Sequence, residues 1–260
     1  MHSRDSSGVN VLLLLAHNDD EYFSSLRIRE ELQSGNRVRV IYFTHGSIYG
    51  TDSETRIAES TRVLISMGIQ AEDIFMLGYE CDIFDGQLSK RIADGYENLC
   101  AHIPEKVPIE RVYAMAWEGG HPDHDACHMI GVAFARARSI RHQLYEFPAY
   151  HASQRQLKSS GVMQFANGNV DTWSTASGRI DAFCAFCLAC RYPSQFSTFL
   201  ALLPGSAMQL LLRGYQVYRL VPESRDYTQP PHSGMLLYEK RFHFSFNNFL
   251  ENAKAFQKYM

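Results

Sequence analysis

The sequence predicts an α/β fold, with a Rossmann-like and mostly parallel sheet flanked by helices, and three observations lead to this prediction. Short apolar runs alternate with helical patterns four times before residue 137, turn residues separate these segments, and the first run, residues 9–16, is apolar at every position except Asn10. An apolar run of this length is typical of a strand that is buried on both faces. Strands that alternate with helices join into parallel sheets through crossover connections.

The first helix is predicted over residues 22–34, because its apolar positions have helical spacing and Gly35 and Asn36 end the pattern. Gly68 likewise ends a second helix over residues 55–67. Ligand sites in sheets of this kind lie beyond the carboxyl ends of the strands, so the residues that follow each strand are the candidates for a site. The other alternating elements are strands at 38–43, 74–77 and 112–116 and helices at 88–103 and 124–136, with a Gly-containing loop at 44–51.

The pattern changes after about residue 144, where Ser, Gln, Asn and Gly become frequent and the regular alternation ends. The sequence shows no linker, repeat or low-complexity segment. We therefore expect one domain over residues 1–260, with a loose N-terminus at 1–8 and a variable part at 144–260 that forms the substrate pocket. The elements predicted in this part are a strand at 144–147, loops or a lid with a short strand at 151–178, helices at 179–213 broken at Pro193 and Pro204, strands at 215–221 and 235–238, and an amphipathic helix at 246–259.

Length, composition and charge exclude several classes of protein. The chain has 260 residues and a mass of 29.7 kDa, with 45% hydrophobic and 20% charged residues, which are values of a globular domain rather than a disordered one. A net charge of −3 argues against a dedicated nucleic-acid-binding protein, which normally has a basic face. The sequence shows no transmembrane segment of about 20 apolar residues and no signal peptide. We therefore expect a cytoplasmic protein whose six cysteines stay reduced.

Two polar clusters, AHNDDE at residues 16–21 and GGHPDH at residues 119–124, follow predicted strands. Two imidazoles, one carboxylate and an open fourth position make the ligand set of a catalytic zinc site, and His17, Asp20 and His124 can supply it. A histidine–aspartate pair in a loop is more often a turn or a helix cap. Two such clusters in a chain with 11 histidines make a metal site the more specific of these two interpretations.

Asp19 and His121 belong to the same clusters without being needed as ligands. Asp19 comes directly before a ligand position, which suits a general base beside the metal. His121 comes three residues before His124, and Pro122 favours a helix start there, so both imidazoles fall in the first turn of one helix. One of them can bind metal while the other donates a hydrogen bond to a developing oxyanion.

The two clusters resemble the AHPDDE and HPDH motifs of the PIG-L/LmbE-like deacetylases, which are zinc-dependent enzymes that remove acetyl groups from N-acetylglucosaminyl compounds. The resemblance extends over residues 9–196 and implies an LmbE-like α/β fold. Four shorter segments are similar to further motifs of the family: the R-x-x-E helix at 56–59, the DG-x-L turn at 85–88, the start of the T-x-G-E loop at 44–46, and the SQ segment at 192–195.

What the resemblance implies about the site can be stated residue by residue. The metal would be one Zn²⁺ per chain, with another divalent metal such as Fe²⁺ as an alternative, because ligand sets of this kind accept several metals. The implied roles are metal ligation by His17, Asp20 and His124, general base catalysis by Asp19, stabilisation of the oxyanion by protonated His121, and contacts to the sugar by Arg56 and Asp85.

The sequence departs from the family motifs at two positions. Asn18 replaces the proline of AHPDDE, and Ser47 stands where the T-x-G-E loop has its acid. Proline stiffens such a loop, so its replacement bears on metal affinity more than on the chemistry. Trp117 leads into the second cluster and is a candidate to stack on the sugar, with anchoring of the loop as the alternative.

We expect from these residues a zinc-dependent hydrolase that removes the N-acetyl group from an N-acetylated amino sugar. This small-molecule substrate would be a GlcNAc-type glycoside or a nucleotide- or lipid-linked sugar of carbohydrate biosynthesis. The chain lacks a G-x-G-x-x-G loop after its first strand, which argues against a dinucleotide cofactor. The alternatives are an amidase on another acyl-amino sugar or a thiol conjugate, a non-catalytic sugar-binding homologue, and a metal-dependent phosphoesterase, although the last would need more ligands than the sequence offers.

Overall fold

A computed structural model describes residues 8–47, 52–152, 161–168, 171–176 and 178–260 of the chain. Residues 1–7 of the N-terminus that is predicted to be loose lie outside the described residues. The same holds for residues 48–51 of the predicted loop 44–51 and for residues 153–160, 169–170 and 177 of the predicted loop region.

Nine strands are present in the described part of the chain: β1 (Asn10–Leu15), β2 (Arg37–Tyr42), β3 (Ile74–Phe75), β4 (Arg111–Met115), β5 (Leu144–Phe147), β6 (Tyr150–His151), β7 (Gly161–Val162), β8 (Trp173–Ala176) and β9 (Tyr215–Leu220). Seven of them form one sheet in the order β3-β2-β1-β4-β5-β9-β8, and β6 pairs with β7. The first five strands of that order are parallel, while β9 is antiparallel to both β5 and β8. The prediction of a mostly parallel sheet is confirmed.

The α-helices of the described residues are α1 (Ser25–Gln33), α2 (Ser53–Met67), α3 (Leu77–Glu80), α4 (Ile92–His102), α5 (Pro122–Ala137), α6 (Arg179–Cys187), α7 (Phe196–Ser206), α8 (Leu237–Phe242) and α9 (Phe246–Ala253). A π-helical turn, Ala207–Arg213, continues α7. Helix α5 packs against β1, β4 and β5, and α1 packs against β2, β8 and β9. These helices flank the sheet as the alternating pattern predicts.

Strand β1 brings the two polar clusters together. It lies between β2 and β4, with Leu13 paired to Val40 on one side and to Tyr113 on the other. Its apolar sequence from Val11 to Leu15 follows from this central place, because a strand with neighbours on both edges and helices on its faces is buried on both faces. Since β1 and β4 are parallel neighbours, the residues that follow them meet at the same edge of the sheet.

The predicted strand at residues 235–238 is wrong, because this segment begins helix α8. The backbone N–H groups of Leu237 and Tyr238 donate to the carbonyl oxygen of Gly119, a loop residue, at 2.9 and 3.5 Å. The Glu239 carboxylate accepts from the N–H of Leu236 at 2.9 Å, which satisfies a free donor at the start of the helix. The apolar run MLLY therefore fits the start of a short helix that buries Tyr238.

Smaller corrections concern element ends. The predicted third strand stops at Phe75, because Leu77 already begins α3. The predicted first helix is divided between a 3-10 turn at Asp20–Ser24 and α1. Pro204 does not break its helix but lies inside α7, where its exposed position leaves the lost N–H on the solvent side.

One helix of the described residues, Pro193–Arg213, is long and apolar enough to cross a membrane by length and composition, which the sequence reading did not predict. Only 28% of its most apolar window is buried. One face of this helix nevertheless packs against the rest of the domain, because Phe199 stacks on Tyr192 and contacts the ring of Tyr22. Length and composition therefore do not make this helix a membrane span.

Candidate metal centre

Three ligand atoms converge at the carboxyl edge of the sheet. His124 Nε2 lies 3.2 Å from His17 Nδ1 and 3.2 Å from Asp20 Oδ1, and His17 Nδ1 lies 3.5 Å from Asp20 Oδ2. Two atoms that are each about 2.05 Å from a tetrahedral zinc ion lie about 3.3 Å apart. The spacing and the donor types therefore fit a zinc-like ion, and the three side chains that the sequence singled out as ligands are together.

Asp20 is the charged member of this group. Burial disfavours its carboxylate, but the imidazoles of His124 and His17 outweigh burial and hold the pKa of Asp20 far below its usual range. The same carboxylate accepts the backbone N–H of His17 at 2.7 Å. Asp20 therefore offers an ionised and oriented oxygen, as metal ligation requires.

Asp123 was not singled out from the sequence, yet it orients His17. Its Oδ2 lies 3.2 Å from His17 Nε2, so Nε2–H donates to the carboxylate and the Nδ1 lone pair points into the site. Asp123 is fully buried and accepts the backbone N–H groups of Gly86 and Ser89 at 2.5 and 3.3 Å. Although burial opposes ionisation, the hydrogen bond from His17 keeps the pKa of Asp123 below its usual range.

Asp19 sits beside the three ligands in a left-handed backbone conformation, with φ 106°. Its N–H donates to Glu21 Oε2 at 3.0 Å, which holds this unusual turn, and its Oδ2 lies 3.5 Å from Arg56 Nη2. Burial raises the pKa of Asp19 well above its usual range, and Arg56 only partly opposes the effect. A raised pKa makes the carboxylate a stronger proton acceptor, which is a property of general bases.

His121 caps the start of α5 and lines the same cavity. Its Nδ1 accepts the backbone N–H of Asp123 at 3.2 Å, so the ring proton is on Nε2. Burial lowers the pKa of His121 well below its usual range. The hydrogen bond from the Asp123 N–H to Nδ1 leaves Nε2–H as the donor of the His121 ring, and this side chain lines the cavity.

Arg56 of α2 and Asp85 reach the cavity as a pair. Arg56 Nη1 donates to Asp85 Oδ2 at 2.7 Å, and Nη2 donates to the carbonyl oxygen of Asn18 at 2.8 Å. Asp85 Oδ1 also accepts from Thr44 Oγ1 at 2.6 Å. The Arg56 guanidinium thus holds the loop in which Asn18 replaces the proline of the family motif. Ser47, which replaces the family's acid, is buried three residues after Thr44.

Trp117 does not line the cavity. Its ring meets the rings of Tyr227 at 5.2 Å, Phe249 at 5.5 Å and Phe246 at 6.1 Å, and the side chain is buried. The expected contact with the sugar is therefore replaced by the alternative role, anchoring of the loop. Aromatic packing from the C-terminal helix α9, which no local sequence signal shows, decides this outcome.

A cavity of about 420 Å³ adjoins the three candidate ligands, of which His17 and Asp20 line it. Its floor carries His17, Asp19, Asp20 and His121, and its walls combine cations with aromatic and aliphatic side chains from the C-terminal part of the chain. Those wall residues include Arg56, Asp85, Lys90, Phe23, Tyr150, Phe199, Leu202, Arg241, Phe242 and Phe244. Two of them, Phe242 and Arg241, come from the segment whose helix the sequence reading missed.

Comparisons with known proteins give independent support for a metal centre in this chain. The model of the PIG-L family, GlcNAc-PI de-N-acetylase, matches residues 12–135. This region therefore resembles the PIG-L family. The matched region contains the three candidate ligands together with Asp19 and His121, and the match supports a metal-dependent, hydrolytic N-deacetylase. A comparison with curated protein sequences finds no significant match.

Several solved structures share the fold of this chain, and the similarity extends over both the region of the family match and the C-terminal part. A deacetylase of the teicoplanin biosynthesis pathway has 13% identity and a TM-score of 0.59, covering 83% of this chain and all of that one. A conserved protein from Thermus thermophilus has 16% identity and a TM-score of 0.56, with coverage of 84% and 100%. The N,N'-diacetylchitobiose deacetylase from Pyrococcus horikoshii has 15% identity and a TM-score of 0.54, with coverage of 82% and 84%.

Proposed function

We propose that this protein is a zinc-dependent hydrolase that removes the N-acetyl group from an N-acetylated amino sugar. The observation that carries the proposal is the convergence of His17, Asp20 and His124, because His17 and Asp20 line a cavity together with Asp19 and His121. A pure sugar-binding protein has no use for a buried carboxylate of raised pKa beside a metal site. The cavity volume lies in the range of small-molecule sites.

The residues that line the cavity have separate roles in amide hydrolysis. Zinc, when bound, would lower the pKa of a water from about 15.7 towards about 7 and polarise the acetamide carbonyl. Asp19 accepts the proton of the attacking water and returns a proton to the departing amine, so that acetate and a free amino sugar are formed. His121 donates its Nε2–H to the oxygen that becomes negative, and its bond from the Asp123 N–H keeps that tautomer.

The polar wall of the cavity suits a sugar. Arg56 and Asp85 are buried against each other at 2.7 Å and still line the cavity, so each can offer a further hydrogen bond to a hydroxyl group. Lys90 and Arg241 add two exposed cations at the wall. An amino sugar within a larger glycoside, or one linked to a nucleotide or a lipid, is the substrate class that we propose.

The proposal is tested by measuring metal content and acetate release together. The purified wild type should hold about one equivalent of zinc per chain and release acetate from a panel of N-acetylglucosaminides. Asp19→Asn should keep the metal and lose about 10²–10⁴ in kcat, since it removes the base and preserves the side-chain shape. His124→Ala should lose both metal and activity.

The two variants separate the proposal from its alternatives. Full activity of Asp19→Asn would contradict the role of Asp19 as base. Metal binding without acetate release from any N-acetyl sugar, but with release of another acyl group, would favour an amidase of different acyl specificity. Sugar binding with no metal in either protein, even after zinc is added, would favour the sugar-binding homologue.

A further inference from the structure

The long helix formed by α7 and the π-helical turn carries a row of large apolar side chains on its outside. Exposed fractions are 67% for Phe196, 56% for Leu200 and 75% for Leu212. Residues four apart lie on the same face of a helix, so Phe196 and Leu200 form one row that the exposed apolar residues after them continue as far as Leu212. We call this row the α7 stripe; its members are Phe196, Leu200, Pro204, Met208, Leu211 and Leu212.

The opposite face of the same helix is fixed in the domain. Phe199, Leu202 and Leu210 are buried, and Gln209 Nε2 donates to the carbonyl oxygen of Met163 at 3.1 Å. The helix is therefore held along its length by one face and exposes apolar side chains on the other. Such a helix lies along a surface and does not pass through a bilayer.

Helix α6 widens the apolar surface. It packs against the π-helical turn, and its Ile180 and Phe183 are 78% and 57% exposed. Single exposed apolar residues are ordinary on a protein surface, but several large ones on two packed helices form a patch of the kind that marks an interaction site.

The charged residues of the segment 182–222 have one sign. No Asp or Glu occurs from residue 182 to residue 222, although the chain as a whole has a net charge of −3. Arg179 and Arg191 are exposed and have no salt bridge within the described residues, and the carboxylate of Asp181 is paired with Arg29. The apolar patch is therefore bordered by cations whose charge is not neutralised, which complements an anionic surface.

We propose that the α7 stripe docks this protein on an anionic membrane surface, with the helix lying in the plane of the headgroups. Apolar side chains on one face combined with flanking arginines are the pattern of interfacial helices. A second copy of the chain fits the patch less well, because pairing the patch with itself would bring its own arginines together without a carboxylate to receive them.

Docking would also set the orientation of the catalytic cavity. The two turns of α7 that carry Phe196 and Leu200 contribute Thr198, Phe199 and Leu202 to the cavity wall. A membrane that contacts the α7 stripe therefore lies on the other side of this helix from the cavity wall.

The test is vesicle flotation with the full chain. Wild type should float with vesicles of phosphatidylcholine and phosphatidylglycerol, and much less with phosphatidylcholine alone or at high salt. Phe196→Ser combined with Leu200→Ser and Leu212→Ser should weaken binding at least about tenfold, because three apolar contacts are lost. Arg179→Gln combined with Arg191→Gln should weaken binding about tenfold or more and remove the preference for anionic vesicles.

Controls make the outcome decisive. Ile65→Ser, which changes a 49% exposed residue on α2, should bind vesicles like the wild type. None of the substituted residues lines the cavity, so acetate release from a soluble substrate should be unchanged and a failure of docking stays separate from a failure of the proposed function. Absence of vesicle binding by the wild type would overturn the proposal. So would a discrete wild-type oligomer that the triple variant converts to monomer, since the α7 stripe would then be a subunit interface.

Discussion

Asp123 shows how much of the metal site depends on a side chain that does not touch the metal position. Its carboxylate accepts a hydrogen bond from His17 Nε2–H and also accepts hydrogen bonds from backbone N–H groups of the turn at 86–89. The carboxylate thereby decides which nitrogen of His17 faces the other two ligands. Outer carboxylates of this kind raise the basicity of a ligating histidine and fix its orientation.

Asp123→Asn should lower zinc affinity about 10–100-fold, because the amide keeps the shape but loses the charge that orients His17. The measurement is a competition titration of the purified protein against a chelator of known zinc affinity. Asp94→Asn, at an exposed carboxylate that pairs with Arg91, is the control and should leave zinc affinity unchanged. Equal affinities of wild type and Asp123→Asn would show that the carboxylate does not support the ligand.

Single residues of the site were predictable to different degrees. His17, Asp20 and His124 follow from ligand type and from the rule that strand ends meet, and the structure brings them together. Asp123 lies between His121 and His124 in the same motif, and sequence alone does not show which side of the turn its carboxylate faces. The error at Trp117 has a similar origin, since its neighbours come from a helix about 130 residues later in the chain.

Between elements, Glu146 of β5 makes a buried electrostatic link. This fully buried carboxylate accepts from Arg219 of β9 at 2.7 Å and from both terminal nitrogens of Arg225 at 2.5 and 2.6 Å. Burial opposes ionisation, but Arg225 and Arg219 outweigh it and lower the pKa of Glu146 to about 2. The ion pairs hold β9, the antiparallel addition to the parallel sheet, against β5.

Glu146→Gln should reduce the free energy of unfolding by about 3–5 kcal/mol at pH 7, because two buried guanidinium groups lose their counter-ion. The wild-type contribution is present above the ordinary glutamate pKa of 4.5 and is lost as pH falls towards 2. Urea unfolding at pH 7 and at points between 4.5 and 2 should therefore show the two proteins converging in acid. Glu105→Gln, at an exposed residue, is the control; a constant gap across this pH range would contradict the prediction.

Elements were predictable where their own sequence determines them. Strand β1 and helix α5 carry patterns that match their final burial, so their types and approximate bounds follow from the sequence. Helix α8 was missed because its type is set by contacts with the carbonyl of Gly119 and by capping from Glu239, and a short apolar run fits either a strand or a helix. Pro204 was predicted to break its helix, but it lies inside α7 at an exposed position.

At the scale of the whole molecule, the proposed metal would join two central elements. His17 and Asp20 follow the middle strand β1, while His124 lies on α5, which packs across β1, β4 and β5. An ion bound only by the folded chain stabilises it through mass action, by about 2.7 kcal/mol at a free concentration 100 times the dissociation constant.

Removal of zinc should therefore lower Tm by roughly 5–10 °C, which is the shift that about 2.7 kcal/mol produces in a domain of this size. Thermal unfolding with and without a chelator measures the difference. His124→Ala should unfold at the same temperature in both conditions. A chelator effect of equal size in this variant would locate the stabilising ion elsewhere.

The architecture as a whole was predictable from alternation, but its C-terminal part was not predictable in detail. Five parallel strands follow from local patterns, whereas the last two strands of the sheet, β9 and β8, are antiparallel additions that the pairing between distant segments decides. The same part supplies the aromatic wall of the cavity. Much of the cavity wall therefore comes from the region that local sequence patterns describe least.

The left-handed turn at Asp19 has a practical use. A side chain at φ 106° costs stability that glycine would not, so Asp19→Gly should raise Tm slightly while leaving the ligands His17 and Asp20 in the chain. Such a chain would be more heat-resistant and would still hold its sugar, but without the base it would not release product. It could serve as bait, retaining the natural substrate from a metabolite extract so that mass spectrometry can identify it.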